Sequence, residues 1–98
     1  MGFKRGGNPD ANQKAIVDAY RSLGASVEIL SGVGHGCPDI LVGICGQTIL
    51  VEIKTEKGKL RPEQLKWHGT WRGARPVIIR SVQDAIGHIM YERRKLDA

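Results

Sequence analysis

Two short apolar runs, residues 40–45 (Ile-Leu-Val-Gly-Ile-Cys) and 48–53 (Thr-Ile-Leu-Val-Glu-Ile), are separated only by Gly46-Gln47. Runs this short, rich in β-branched and aliphatic residues and joined at a glycine, predict a β-hairpin. Glycine at the first central position of a two-residue loop favours a type II′ turn. That turn sets the register: Cys45 faces Thr48, Leu41 faces Glu52 and Asp39 faces Lys54. Cross-strand partners share a face, and faces alternate along a strand. One face then carries Ile40, Val42, Ile44, Ile49, Val51 and Ile53, and must pack on helices. The other carries Asp39, Leu41, Gly43, Cys45, Thr48, Leu50, Glu52 and Lys54. The hairpin's charged residues, Asp39, Glu52 and Lys54, all fall on this second face and at the same end.

In this register Asp39 and Glu52 are diagonal neighbours, roughly 5–8 Å apart. Charged rims on half-buried hairpins are ordinary, and cross-strand acid–base pairs are common. Glu52, however, sits between Val51 and Ile53, where an unpaired charge is costly. Gly36-Cys37-Pro38 leads into Asp39, placing a flexible loop and a rigid proline at the mouth of the cluster. Two carboxylates so spaced can converge on one hard cation.

The flanking elements follow from local signals. Asn8-Pro9-Asp10 predicts a helix start, and Ala11, Ala15, Ile16, Ala19, Tyr20 and Leu23 recur at helical spacing before a Gly24 C-cap. Residues 26–30 read as a strand, and the glycine-rich residues 31–36 as a loop. Residues 55–61 form a basic, polar loop; Pro62 opens a second helix that Gly73 is expected to close. Residues 76–80 read as a strand. Ser81-Val82-Gln83-Asp84 is a capping signature with Asp in place of the usual Glu. The last helix has Val82, Ala85, Ile86, Ile89 and Met90 on one face and ends in Arg93-Arg94-Lys95. The order αβββαβα predicts an α/β fold, a mixed β-sheet core flanked by helices.

A chain of 98 residues is one domain, with residues 1–7 (Lys4, Arg5 and glycines) expected to form a flexible basic arm. A net charge of +5 points to an anionic partner, with nucleic acid ahead of a membrane surface. Cys37 and Cys45 cannot build a disulfide framework or, alone, a zinc site, and suit a reducing, cytoplasmic setting. No apolar run approaches the ~18 residues of a membrane span, and the N-terminus lacks a signal-peptide core.

Gly36-Cys37-Pro38-Asp39, then Val51-Glu52-Ile53-Lys54, then Gln64, with Gly73 and Arg80-Ser81 further on, resembles the PD-(D/E)XK nuclease superfamily, in its virus-type replication-repair (VRR-NUC) branch. The resemblance covers residues 10–88 and implies a restriction-endonuclease-like fold. It further implies that Asp39 and Glu52, with the main-chain carbonyl of Ile53, ligate Mg²⁺ or Mn²⁺. Lys54 would position or activate the attacking water, and Gln64 would orient the cluster. Such chemistry needs a Lewis acid and hard oxygen ligands. Many members carry a metal-binding Glu on the first helix; here Asn12 or Gln13 stands in that stretch, which puts a second metal site in doubt.

Lys57, Lys59 and Arg61 follow the catalytic strand and are expected to contact DNA phosphates; no base-reading motif is visible. Trp67 and Trp71, four apart, are expected to be core, or otherwise a dimer interface. His68 and His88 carry no specific signal. The expectation is a metal-dependent, structure-selective DNA endonuclease of phage or bacterial replication, recombination or repair. It would be a homodimer acting on branched DNA such as a Holliday junction, without a membrane role. The rivals are a nuclease-fold DNA-binding module without turnover, and a monomeric flap or nicking nuclease.

Overall fold

The computed structural model describes residues 9–97. Asn8, the expected first N-cap, and the basic arm lie outside the described residues. The elements are α1 (Pro9–Ser22), β1 (Ser26–Ile29), β2 (Ile40–Ile44), β3 (Gln47–Ile53), α2 (Pro62–Thr70), β4 (Val77–Ile79) and α3 (Val82–Asp97). This is the order expected from the sequence. The strands form one mixed sheet in the order β1-β2-β3-β4, antiparallel except for the parallel β3–β4 pair.

The hairpin turn differs from the expectation. Ile44 pairs with Gln47, so the turn residues are Cys45 and Gly46, with φ of 52° and 75°. Positive φ at both central positions is the type I′ signature, whose twist matches the flanking strands; Gly46 occupies the second central position rather than the first. The resulting shift in pairing is even, so each side chain keeps the face expected of it. Ile40, Val42, Ile44 and Val51 are buried, and Ile49 and Ile53 pack against them. What changes is the partner: Ile40 pairs with Val51 instead of Ile53, Leu41 pairs with Leu50 instead of Glu52, and Asp39 N–H donates to Val51 O.

Helices α1 and α3 cover the aliphatic face with Ile16, Val17, Tyr20, Ala85 and Ile89. Their apolar stripes are rotated and narrower than expected. Val17 is buried while Ala11 and Ala15 are exposed, and Ile86 and Met90 lie open to solvent. The reason is a polar inset between the two helices, where the Tyr20 hydroxyl lies 2.8 Å from His88 Nδ1 and Glu92 is buried.

The caps follow the sequence closely. At Gly24 (φ 96°), Ala25 N–H donates to Tyr20 O and Gly24 N–H to Arg21 O, the paired bonds of a Schellman end. Ser81 Oγ accepts from Asp84 N–H, and the short Asp84 carboxylate reaches Arg80 N–H rather than the cap residue's own. Helix α2, in contrast, ends at Thr70 and not at Gly73. Trp71 turns to extended backbone so that its ring stacks on Trp67, with centroids 4.6 Å apart and planes at 15°. Gly73 is then needed for space: a Cβ there would stand 2.7 Å from Trp71 Nε1.

Candidate active site

Helix α2 lies on the second face of the sheet, and it turns a polar side inward. Its buried residue is Gln64, while Leu65 and Trp71 are exposed. An amphipathic helix normally buries its apolar stripe, so the inversion needs a polar partner beneath it. That partner is Glu52, which is fully buried. The glycine loop closes one side of the cluster. Gly36 (φ 83°) packs so tightly on the start of α2 that a Cβ would meet the main-chain oxygen of Glu63.

The first four residues singled out in the sequence converge. Asp39 N–H donates to Val51 O, and Asp39 Oδ2 accepts from Ile53 N–H at 2.7 Å, which fixes one carboxylate oxygen. The Glu52 carboxyl lies within hydrogen-bonding reach of Asp39. Lys54 Nζ donates to Gln64 Oε1 at 2.7 Å; the same oxygen accepts from Arg61 N–H at 2.8 Å, and Gln64 Nε2 donates to Glu52 Oε2 at 3.4 Å. Gln64 therefore does two jobs from the third position of α2. It satisfies the N–H at the helix entrance, as a capping-box residue does, and it ties Lys54 to Glu52.

Burial pushes the Glu52 carboxyl up to about 8, and the adjacent Asp39 adds to the rise; Lys54 and Arg61 oppose it. Two carboxylates sharing one low-dielectric site cannot both ionise cheaply, and a cation between them removes the conflict. No cluster of three or more His, Cys, Asp or Glu side chains suited to a metal exists among the described residues. Asp39 and Glu52 are a hard-oxygen pair that fits Mg²⁺ or Mn²⁺ with water, phosphate or main-chain oxygen completing the shell.

Asn12 lines the small cleft beside Asp39 and Lys54, but its amide is engaged with the main chain. Its Nδ2 donates to Lys54 O at 3.1 Å and Arg80 O at 3.3 Å, clamping the ends of β3 and β4 together. Gln13 and Asp10 line the small cleft beside Asp39, Ile53 and Lys54. Lys57, Lys59 and Arg61 are exposed along residues 55–61. Arg80 Nη1 organises that loop, donating to the carbonyls of Thr55 (2.9 Å), Glu56 (3.3 Å) and Gly58 (2.6 Å). Trp67 and Trp71 are not core as expected. Trp71 is 47% exposed, and the pair lines a groove of about 720 Å³ with Leu50 and Val77.

Sequence reading missed one residue. His68 Nε2 lies 2.9 Å from Glu52 Oε1, and the imidazole is nearly buried. Burial, with Arg75 and Lys54 nearby, holds His68 below the ordinary histidine range, so the ring is neutral near pH 7. The signal was its spacing: four residues after Gln64, it shares Gln64's helix face.

A mixed sheet covered by helices, with Asp39, Glu52 and Lys54 gathered at one end of its central hairpin, defines the nuclease-fold class of proteins. A solved structure described as "VRR_NUC domain" is 30% identical, covers 90% of this chain and 98% of its own, and superposes with a TM-score of 0.70. The chain belongs to the VRR-NUC family of nuclease domains. No family sequence model and no curated protein matches it.

Proposed function

We propose that the chain is a Mg²⁺- or Mn²⁺-dependent endodeoxyribonuclease selective for branched DNA such as a Holliday junction. It would act as a homodimer in the cytoplasm of a bacterium or phage-infected host during replication, recombination or repair. The observation that carries this reading is the buried Glu52 held against Asp39, with Lys54 beside it. Asp39 and Glu52 would hold the cation, together with the Ile53 carbonyl. When bound, the cation would supply Lewis acidity and lower the pKa of water. Lys54, oriented by Gln64, has N–H groups to offer a phosphate oxygen or the attacking water, stabilising charge that grows on the phosphoryl group. Lys57, Lys59 and Arg61 would track the DNA backbone beside the cut.

The test is incubation with linear, flap and four-way DNA in Mg²⁺, Mn²⁺ or EDTA. Cleavage of the four-way substrate only with a divalent ion is expected. DNA binding without cleavage under every condition would instead support the binding-module reading, and preference for flaps the nicking one.

Resolving a junction takes two symmetric cuts, which an isologous dimer supplies simply. Beyond the short β3–β4 pair, residues 47–50 of β3 have no strand partner on that side among the described residues, and the stacked tryptophans line the groove there. Unpaired edges and exposed aromatic groups favour association. Light scattering at micromolar concentration is expected to give twice the 10.7 kDa chain mass. A monomer that still cuts both strands of a junction would overturn the dimer.

A further inference from the structure

Glu52 can serve a cation only if its carboxylate is aimed, and a buried glutamate with three side-chain torsions is not aimed by its backbone alone. Two groups from one face of α2 reach it. Gln64 Nε2 approaches Oε2 at 3.4 Å, a long contact, while His68 Nε2 stands 2.9 Å from Oε1. The shorter contact is enclosed as well, with the two side chains 9% and 1% exposed. The imidazole is itself held. The Trp67 ring meets it edge-on, with centroids 6.2 Å apart and planes at 75°, and Trp71 stacks on Trp67. A column of rings thus runs from the surface to the carboxylate.

We infer that His68 is a positioning residue for the metal site: its Nε2–H donates to Glu52 Oε1 and turns the carboxylate toward the Asp39 side. This rests on the reading of Glu52 as a metal ligand. When Glu52 is ionised to hold a cation its Oε1 accepts, so the ring then carries a proton on Nε2. Groups that orient a ligand in this way commonly change metal affinity by about 10–100-fold when removed.

The experiment is calorimetric titration of Mn²⁺ into the folded chain, without DNA, for wild type, His68→Leu, His68→Gln and Glu52→Gln. His68→Leu should bind Mn²⁺ about 10–100-fold more weakly. His68→Gln, whose amide N–H reaches about where Nε2 stands, should recover most of that loss. A structural role alone would not give rescue by a residue of different shape sharing only the donor. If Leu at position 68 does not fold, His68→Asn replaces it, since its amide is too short to reach Glu52. Wild-type affinity in the Leu or Asn variant overturns the inference, as does a His68→Gln variant as weak as either. Wild-type protein that binds no Mn²⁺, or a Glu52→Gln variant that binds as tightly as wild type, overturns the active-site reading itself, and the inference with it.

Discussion

Asp39→Asn and Glu52→Gln should each lower metal-dependent DNA cleavage by about 10³-fold or more, because each removes one of the two carboxylates proposed to hold the cation. Both variants should remain folded. An amide oxygen at position 39 still accepts from Ile53 N–H, and a glutamine at position 52 keeps the shape of the buried side chain and an acceptor for His68. DNA binding should persist, since the basic residues on the loop after β3 are untouched. Lys54→Ala should also stop cleavage while leaving Mn²⁺ binding in place, which separates the lysine's role from that of the carboxylates. End-labelled DNA assays beside circular dichroism and melting curves check this. Turnover at the wild-type rate in either carboxylate variant would remove the pair from the chemistry.

The second large effect is on stability without metal. The carboxyl of Glu52 is raised from 4.5 to about 8 in the folded protein. Between those values the folded chain holds a proton that the unfolded chain has released, so unfolding releases it and stability falls as pH rises. The cost is complete above the folded value. The slope for one proton is at most about 1.4 kcal/mol per pH unit. His68 and His88, both held below the ordinary histidine range, push stability up rather than down as pH rises, and the raised Cys37 thiol pushes it down, so the comparison with Glu52→Gln isolates the part due to Glu52. Denaturant melts in EDTA should therefore show wild type losing stability relative to Glu52→Gln across that interval, and the glutamine variant more stable at pH 8.5. Each kcal/mol corresponds to about 4–8 °C in midpoint for a domain of this size. Added Mg²⁺ should reverse the order, because a cation that binds only the folded wild type stabilises it. Parallel pH profiles for the two proteins would mean that Glu52 is not a strained acid.

The proposed positioning role of His68 joins these two results. If the ring aims the carboxylate, its loss should weaken Mn²⁺ binding without removing the charge that makes wild type pH-sensitive. Calorimetry and melting should therefore separate His68→Leu from Glu52→Gln, although the two residues touch.

Much of this molecule is dictated locally, and that part was legible. The aliphatic and mixed faces of the hairpin follow from period-two alternation, which an even shift of register leaves intact. Gly24 and Ser81-Asp84 act where short-range hydrogen bonds decide, so the ends they mark were readable from residue type. That Asp39, Glu52 and Lys54 would gather at one end of the hairpin was likewise legible from alternation, and Gln64 was marked by the resemblance; the fold brings the four together.

Tertiary structure decided the rest. The choice of Cys45-Gly46 over Gly46-Gln47 as the turn is a contest between two similar loops, settled by how the strands twist and pack; it set Ile40 against Val51 and Leu41 against Leu50. The end of α2 moved to Thr70 because stacking two indoles outweighed continuing the helix to a glycine. Above all, hydropathy does not announce that α2 would turn Gln64 and His68 inward while exposing Leu65 and Trp71; their spacing puts them on one face but not on the inner one. A helix's inward face is set by what lies beneath it, and beneath α2 lies a carboxylate contributed by a different strand.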